Sequence, residues 1–289
     1  MIRGSDWGGS RLATAQTCKQ KYYNRYLRPN LDGGSGIIQL EDKLAPTKGT
    51  LIHFCLQKYY ERRLKDPDGS ETAHGLEAIV EMVNEIPKLT IQEEVKSLLS
   101  DELIACMDQY FTRWRGGSDF KPIAVEQPVQ VEVRAPDGTV HIHTGIIDLV
   151  CEWHGGSLFI VDHKSTSMSF ESVFKKYTHS LSFKGYCKAA TQLYRKPLGV
   201  VVNAVRFKKN KALEVELERE PIMYDDAQLA EFDKSVVSIK REIEMCERDG
   251  FWPKASEQCV AAWGACEYFQ LCKFDDPAMV KALYKGANR

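Results

Sequence analysis

Leu158-Phe159-Ile160-Val161-Asp162-His163-Lys164-Ser165-Thr166 is the stretch on which the fold turns. Four apolar residues run together and then stop at an acid. A strand apolar on both faces belongs in the middle of a sheet covered on both sides. Working back, His154-Gly155-Gly156-Ser157 is a turn, and Val140 to Trp153 reads as the strand before it. Pro136-Asp137-Gly138 is a hairpin turn, and Ile123, Val125, Val129, Val131 and Val133 alternate with polar residues, the mark of a half-buried strand.

Working forward, Leu181–Arg195 has helical spacing, Val200–Phe207 reads as a fourth strand and Ala212–Glu218 as a fifth, across the basic turn Lys208-Lys209-Asn210-Lys211. A long helix from Asp225 to Arg248 follows. Ahead of the sheet, the run from Ser10 to Pro29 reads as one basic helix. Further helices are expected from Pro46-Thr47 to the stop at Asp66-Pro67-Asp68-Gly69, over Ala73–Ile86 and over Ile91–Arg115, with Gly116-Gly117-Ser118 closing that region. The expectation is an α/β (α+β) chain with a mixed sheet of about five strands flanked by helices. It is read as a single domain over 1–289. A helical region over 46–117 precedes the sheet and its motif helix (120–220), and a tail over 225–289 closes back onto Cys18.

Composition sets the outer limits. With 39 basic and 40 acidic residues the formal charge is −1, so a nonspecific polybasic binder is excluded and any nucleic-acid surface must be local. At 43% hydrophobic and 27% charged residues the chain is ordinary globular material, not disordered or fibrous. No apolar run reaches the length of a membrane span. The start, MIRGSDWGGS, lacks the apolar stretch of a secretion signal. Nine cysteines in that context point to a reducing, cytoplasmic compartment, where clustered thiols bind metal more often than they form disulfides.

The chemistry sits at the strand ends. Asp148 lies late on the second strand and Asp162 ends the third, so two neighbouring strands bring carboxylates to one edge. Asp162 and Lys164 are two apart and share a face. Two hard carboxylates and a backbone carbonyl suit Mg²⁺ or Mn²⁺, and an adjacent lysine orients a water or offsets charge at a phosphate. The bland alternative is a solvated strand edge. Against it stands the apolar strand from which these groups emerge.

The arrangement resembles the PD-(D/E)xK nuclease superfamily and, within it, the RecB-like, AddB-type exonuclease domain. Gly49-Thr50-Leu51-Ile52-His53 matches its G-x-x-x-H helix, and Gly145 to Asp148 its G-x-x-D. Asp162-His163-Lys164 matches D-x-K. Ser182 to Tyr186 falls on its Q-x-x-x-Y helix, with Ser182 where glutamine is usual. The resemblance implies a restriction-endonuclease-like core, with His53, Asp148, Asp162 and the His163 carbonyl holding Mg²⁺ or Mn²⁺. It further implies that Lys164 positions the attacking water and that Tyr186 touches substrate. Glu126 on the first strand is a further acid that would assist. Read alone, His53 is a core histidine on a helix face; within the ordered set it is a ligand.

The tail reads Cys259-x6-Cys266-x5-Cys272, with Trp263, Tyr268 and Phe269 between. Cys18 is the candidate fourth ligand of a Cys₄ site. In the family resemblance one cysteine before the core and three after it carry a 4Fe–4S cluster, and zinc is the alternative that spacing leaves open. Either metal would staple the first helix to the tail. Cys55, Cys106, Cys151, Cys187 and Cys246 read as buried small hydrophobes.

Candidate DNA contacts are Lys19, Lys21 and Arg25 on the first helix and Lys208 and Lys209 at the basic turn, with Lys175-Lys176 a further cluster. Tyr22, Tyr23 and Tyr26 either stack on bases or pack the helix. No base-reading motif is present, so contact is expected mainly with the phosphate backbone. The reading is therefore a metal-dependent deoxyribonuclease, an exonuclease, serving DNA-end processing, recombination or replication. Lacking a P-loop, it resembles the stand-alone, phage-like versions, for which a recombinase or single-strand-binding protein is a candidate partner. The alternative functions are a non-catalytic DNA-binding or assembly module on the same fold, and a zinc-stapled scaffold.

Overall fold

The computed structural model describes residues 8–30, 32–40, 44–115, 120–208, 214–261 and 264–287. In chain order the elements begin with α1 (Gly9–Thr17), α2 (Lys19–Tyr26), β1 (Ile37–Gln39), α3 (Leu44–Lys65), α4 (Glu71–Glu85) and α5 (Glu93–Arg113). Then come β2 (Lys121–Arg134), β3 (Val140–Trp153), β4 (Ser157–Thr166), α6 (Phe170–Tyr177), α7 (Leu181–Leu193), β5 (Gly199–Phe207) and β6 (Val215–Ile222). The last are α8 (Asp226–Asp249), β7 (Val260–Ala261), β8 (Gly264–Ala265), α9 (Phe269–Phe274), α10 (Pro277–Leu283) and β9 (Tyr284–Gly286). The chain divides into two compact units. One comprises Met1–Glu41, Gln130–Gly145 and Ala230–Arg289; the other comprises Asp42–Val129 and Ile146–Leu229.

The mixed sheet has the order β2-β3-β4-β5-β6, and β4, β5 and β6 lie wholly in the second unit, with Lys121–Val129 of β2 and Ile146–Trp153 of β3. β4 is its middle strand, and Leu158 through His163 are buried, as an unbroken apolar run requires. β3 pairs antiparallel to β4, with Leu149 opposite Val161. β4 pairs parallel to β5, placing Asp162 beside Val202 and His163 beside Asn203. A parallel pair needs a long crossover, and α6 and α7 provide it. Serines start both helices: the Ser169 and Ser180 hydroxyls accept from the Ser172 and Phe183 backbone N–H groups. Leu56, Tyr60, Met82, Leu103 and Tyr110 of α3, α4 and α5 pack with Leu149, Val161 and Val201 of the strands in one core.

Gly49 sets the approach of α3 to β4. A Cβ there would stand 2.7 Å from Ser165 Oγ. The missing side chain lets the helix close on the strand end, and His53, four residues on, lies on the same helix face.

In the first unit the reading of one helix over Ser10–Pro29 is corrected. The helix breaks at Cys18, which is extended at φ −164° and ψ 121°, and its Sγ accepts the Lys21 N–H as the cap of α2. Segments far apart in sequence meet here: β1 pairs antiparallel with β9, Ile37 opposite Gly286 and Gln39 opposite Tyr284. Tyr268 adds a hydrogen bond from its hydroxyl to the Ile37 carbonyl at 2.5 Å.

Other boundaries move as well. The fifth strand runs over Val215–Ile222, not Ala212–Glu218, because its pairing with β5 continues through Pro221 to Ile222. α6 was not anticipated. Its eight residues are too few to carry a readable period. Among the described residues no helix is long and apolar enough to cross a membrane.

Candidate active site

The carboxylates arrive on neighbouring strands. Asp148 lies on β3 and Asp162 on β4. The His163 backbone N–H donates to Asp148 Oδ2 at 2.8 Å, so the middle residue of Asp-x-Lys fixes the other strand's acid. His53 on α3 brings Nδ1 to 3.4 Å from the same oxygen. Lys164 Nζ stands 2.5 Å from Asp162 Oδ2, and beyond that ammonium the buried oxygen has no hydrogen-bond donor among the described residues.

The charges are crowded. Burial, then the negative charge of Asp162, raises the proton affinity of the Asp148 carboxyl, with His53, Lys164 and the His163 N–H partly opposing. Burial also pushes the Glu126 carboxyl up to about 7, aided by the charges of Asp148 and Glu61. Burial works against the Lys164 ammonium, but Asp162 and Asp148 outweigh it and hold the group charged. The Tyr186 phenol is raised by burial and then by Asp162 and Asp148, so it stays neutral and available as a donor.

Glu126 has a second distinction. Its φ is +48°, inside a strand, a conformation that side-chain-bearing residues seldom adopt. Such strain costs about 1–3 kcal/mol and gathers at functional sites.

Sequence reading missed what stands behind Asp-x-Lys. Buried His163 bonds through Nδ1 to Asn203 Nδ2 at 2.7 Å and stacks on Tyr60, centroids 5.9 Å apart. Arg219 Nε donates to Asn203 Oδ1 at 3.2 Å, and another guanidinium N–H donates to the Tyr110 hydroxyl at 2.9 Å. The guanidinium lies between Trp114 and Phe120, 3.9 and 3.8 Å from their ring centres. Burial, then the charges of His53, Arg219 and Lys164, keeps the His163 ring neutral. Tyr177 was missed too: Lys164 Nζ stands 5.6 Å from its ring centre. A lone Asn203 in an otherwise apolar Val-Val-Val-Asn-Ala-Val run was the legible signal.

Among the described residues no three His, Cys, Asp or Glu side chains are already gathered as a metal-binding group. The donor chemistry nevertheless fits a hard divalent cation. Three acids crowd one another, two have raised proton affinity, and one buried carboxylate oxygen answers to a lysine alone.

In the first unit Cys18, Cys259, Cys266 and Cys272 line one cavity of about 230 Å³, with Tyr268 and Phe269 in its wall. All four are free thiols. Backbone N–H groups of Lys21 and Ala255 point at Cys18 Sγ at 3.4 and 3.5 Å. Burial raises the Cys272 thiol, with Cys266, Cys18 and Cys259 adding and Lys254 opposing. The four sulfurs are not gathered as a metal-binding group among the described residues; they share one cavity, with N–H groups aimed at one of them, and are the donor set that a Cys₄ metal would use. Trp263 lies outside the described residues. Cys55, Cys106, Cys151, Cys187 and Cys246 are buried.

The expected DNA contacts on α2 are drawn into ion pairs: Lys19 with Glu242, and Lys21 and Arg25 with Glu267. Tyr22 and Tyr26 are buried, so they pack. Lys175 pairs with Glu171, and Lys208 stands 3.3 Å from Glu216. Lys209 lies outside the described residues.

No curated protein matches the chain. Among solved structures, a candidate exonuclease from Eubacterium rectale is 12% identical, covering 86% of this chain and 84% of its own, with a TM-score of 0.47. LHK-Exo, solved in complex with dAMP, is 13% identical over 69% of this chain and 97% of its own, with a TM-score of 0.24. The family model of the PD-(D/E)XK nuclease superfamily matches residues 7–273, a span that includes Asp148, Asp162 and Lys164, and the chain belongs to that superfamily.

Proposed function

We propose that the chain is a Mg²⁺- or Mn²⁺-dependent deoxyribonuclease that acts as an exonuclease in DNA-end processing. One observation carries the reading: at the end of a buried central strand, the Lys164 ammonium is held at Asp162 while the next backbone N–H secures Asp148. His53, Asp148, Asp162 and the His163 carbonyl are the groups that would hold the metal, which supplies Lewis acidity at the scissile phosphate. Lys164 orients the attacking water and offsets charge on the phosphoryl oxygens. Glu126, with proton affinity near neutrality, accepts the water's proton. Tyr186 donates to the substrate from the α7 side. The exonuclease form of the reading comes from the RecB-like resemblance.

The second part of the proposal is a metal staple. Cys18, Cys259, Cys266 and Cys272 hold a 4Fe–4S cluster, with zinc as its rival for the same four thiols. Iron and sulfide near four each in anaerobically purified protein support the cluster; zinc without sulfide replaces it.

Cleavage of end-labelled linear DNA, beside closed circles and with either metal, tests the catalytic reading. Loss in Lys164→Ala with folding retained supports it. No cleavage of any substrate by metal-loaded protein overturns it in favour of a DNA-binding module.

A further inference from the structure

The first unit carries an open groove of about 930 Å³ that is apart from the carboxylate site and shares Lys254 with the wall of the cysteine cavity. Tyr23, Arg28, Phe251, Trp252, Lys254 and Asp275 line it. Its aromatic floor is pinned from below. Trp252 stacks on Tyr22 and Tyr23 at 6.0 and 5.3 Å. The Gln20 N–H donates to the Pro253 carbonyl at 3.1 Å and ties the segment to α2. On the other side Gly250 turns the chain at φ +61°, and the Phe251 N–H donates to the Cys246 carbonyl. With both neighbours fixed, the Phe251 ring is left 67% exposed.

Two cations line the same groove. Lys254 Nζ is steered by the Cys272 carbonyl at 2.7 Å. Arg28 is held by Asn24 Oδ1 at 3.4 Å and Asp275 Oδ1 at 3.0 Å. The Asp275 side chain is 75% exposed, so that ion pair is weakly held and open to exchange with another anion.

An exposed aromatic ring that shares a groove with two cations matches a chain of unpaired bases and phosphates. A duplex hides its base faces, whereas a single strand offers one at every nucleotide. We infer that this groove binds single-stranded DNA, with Phe251 stacking on a base and Lys254 and Arg28 meeting the flanking phosphates. The inference rests on the nuclease reading only for the choice of DNA, and none of its residues belongs to the carboxylate site.

The test uses the intact, metal-loaded protein with Mg²⁺ and Mn²⁺ left out of the buffer, where binding is read without cleavage. Fluorescence anisotropy follows a labelled oligothymidylate of about eight nucleotides, its abasic counterpart and a duplex of equal length. Phe251→Ala is expected to weaken oligothymidylate binding about tenfold, the loss of one stacked base, and to leave abasic binding unchanged. Lys254→Gln should reduce the slope of log affinity against log salt by about 0.7, one phosphate contact on a single strand. Unchanged oligothymidylate affinity in Phe251→Ala overturns the inference, as does an equal loss on the abasic strand or equal binding of the duplex. Failure of the cleavage assay would not alter this binding readout, so the two readings fail separately.

Discussion

Glu126→Gln separates what the protein needs for folding from what it needs for chemistry. The substitution removes the charge and keeps the shape, including the left-handed backbone at φ +48°. Burial and the charges of Asp148 and Glu61 lift this carboxyl from 4.5 to about 7. At ~1.4 kcal/mol per pH unit, that shift makes the ionised side chain cost the folded state about 3 kcal/mol. The sign follows from linkage. Between about pH 4.5 and 7 the folded state holds the proton more tightly than the unfolded chain, so stability falls as pH rises through that window. Glutamine removes this dependence. In chelator at about pH 8, Glu126→Gln should raise Tm by several degrees; at about pH 5 the gain should shrink below ~1 kcal/mol. The same variant should lose cleavage. A variant equally stable or less stable than the parent at pH 8, or a gain independent of pH, refutes the account of crowded acids.

Gly49→Ala should cost about 1–3 kcal/mol and reduce cleavage, because its Cβ meets Ser165 Oγ at 2.7 Å. Adding Ser165→Ala removes that oxygen and should restore most of both, which a double-mutant cycle reads directly. Arg219→Met keeps the volume but takes the donors from Asn203 Oδ1 and the Tyr110 hydroxyl. It also empties the Trp114–Phe120 sandwich of its cation. We expect a loss of about 2–4 kcal/mol in denaturant melts, with lower cleavage as His163 loses its anchor. Cys266→Ala should destabilise the metal-loaded protein and lower its metal content per chain, since a structural metal contributes folding energy; an unchanged Tm contradicts the staple.

Some of this was legible in the sequence because local physics writes it there. The apolar run before Asp162 marks a central strand, and the two-residue step to Lys164 puts both charges on one face. Gly49 and His53 share a helix face for the same geometric reason. The break at Cys18 was not legible. No proline or glycine marks it; the thiol itself caps the next helix. The pairing of β1 with β9 joins three-residue strands across nearly the whole chain, too short for a period and too distant for a local signal. Glu126 was legible as an acid on the first strand, but its left-handed backbone was not, because alternation says nothing of φ. Arg219 fell one residue beyond the strand expected over Ala212–Glu218, and only the register opposite Asn203 reveals it as a buried anchor.

The most direct measurement of the central claim is Asp162→Ala, assayed in parallel for cleavage of end-labelled linear DNA with Mg²⁺ or Mn²⁺ and for DNA binding in chelator. The account predicts that cleavage disappears while binding survives; cleavage that persists in the variant contradicts the assignment of the site.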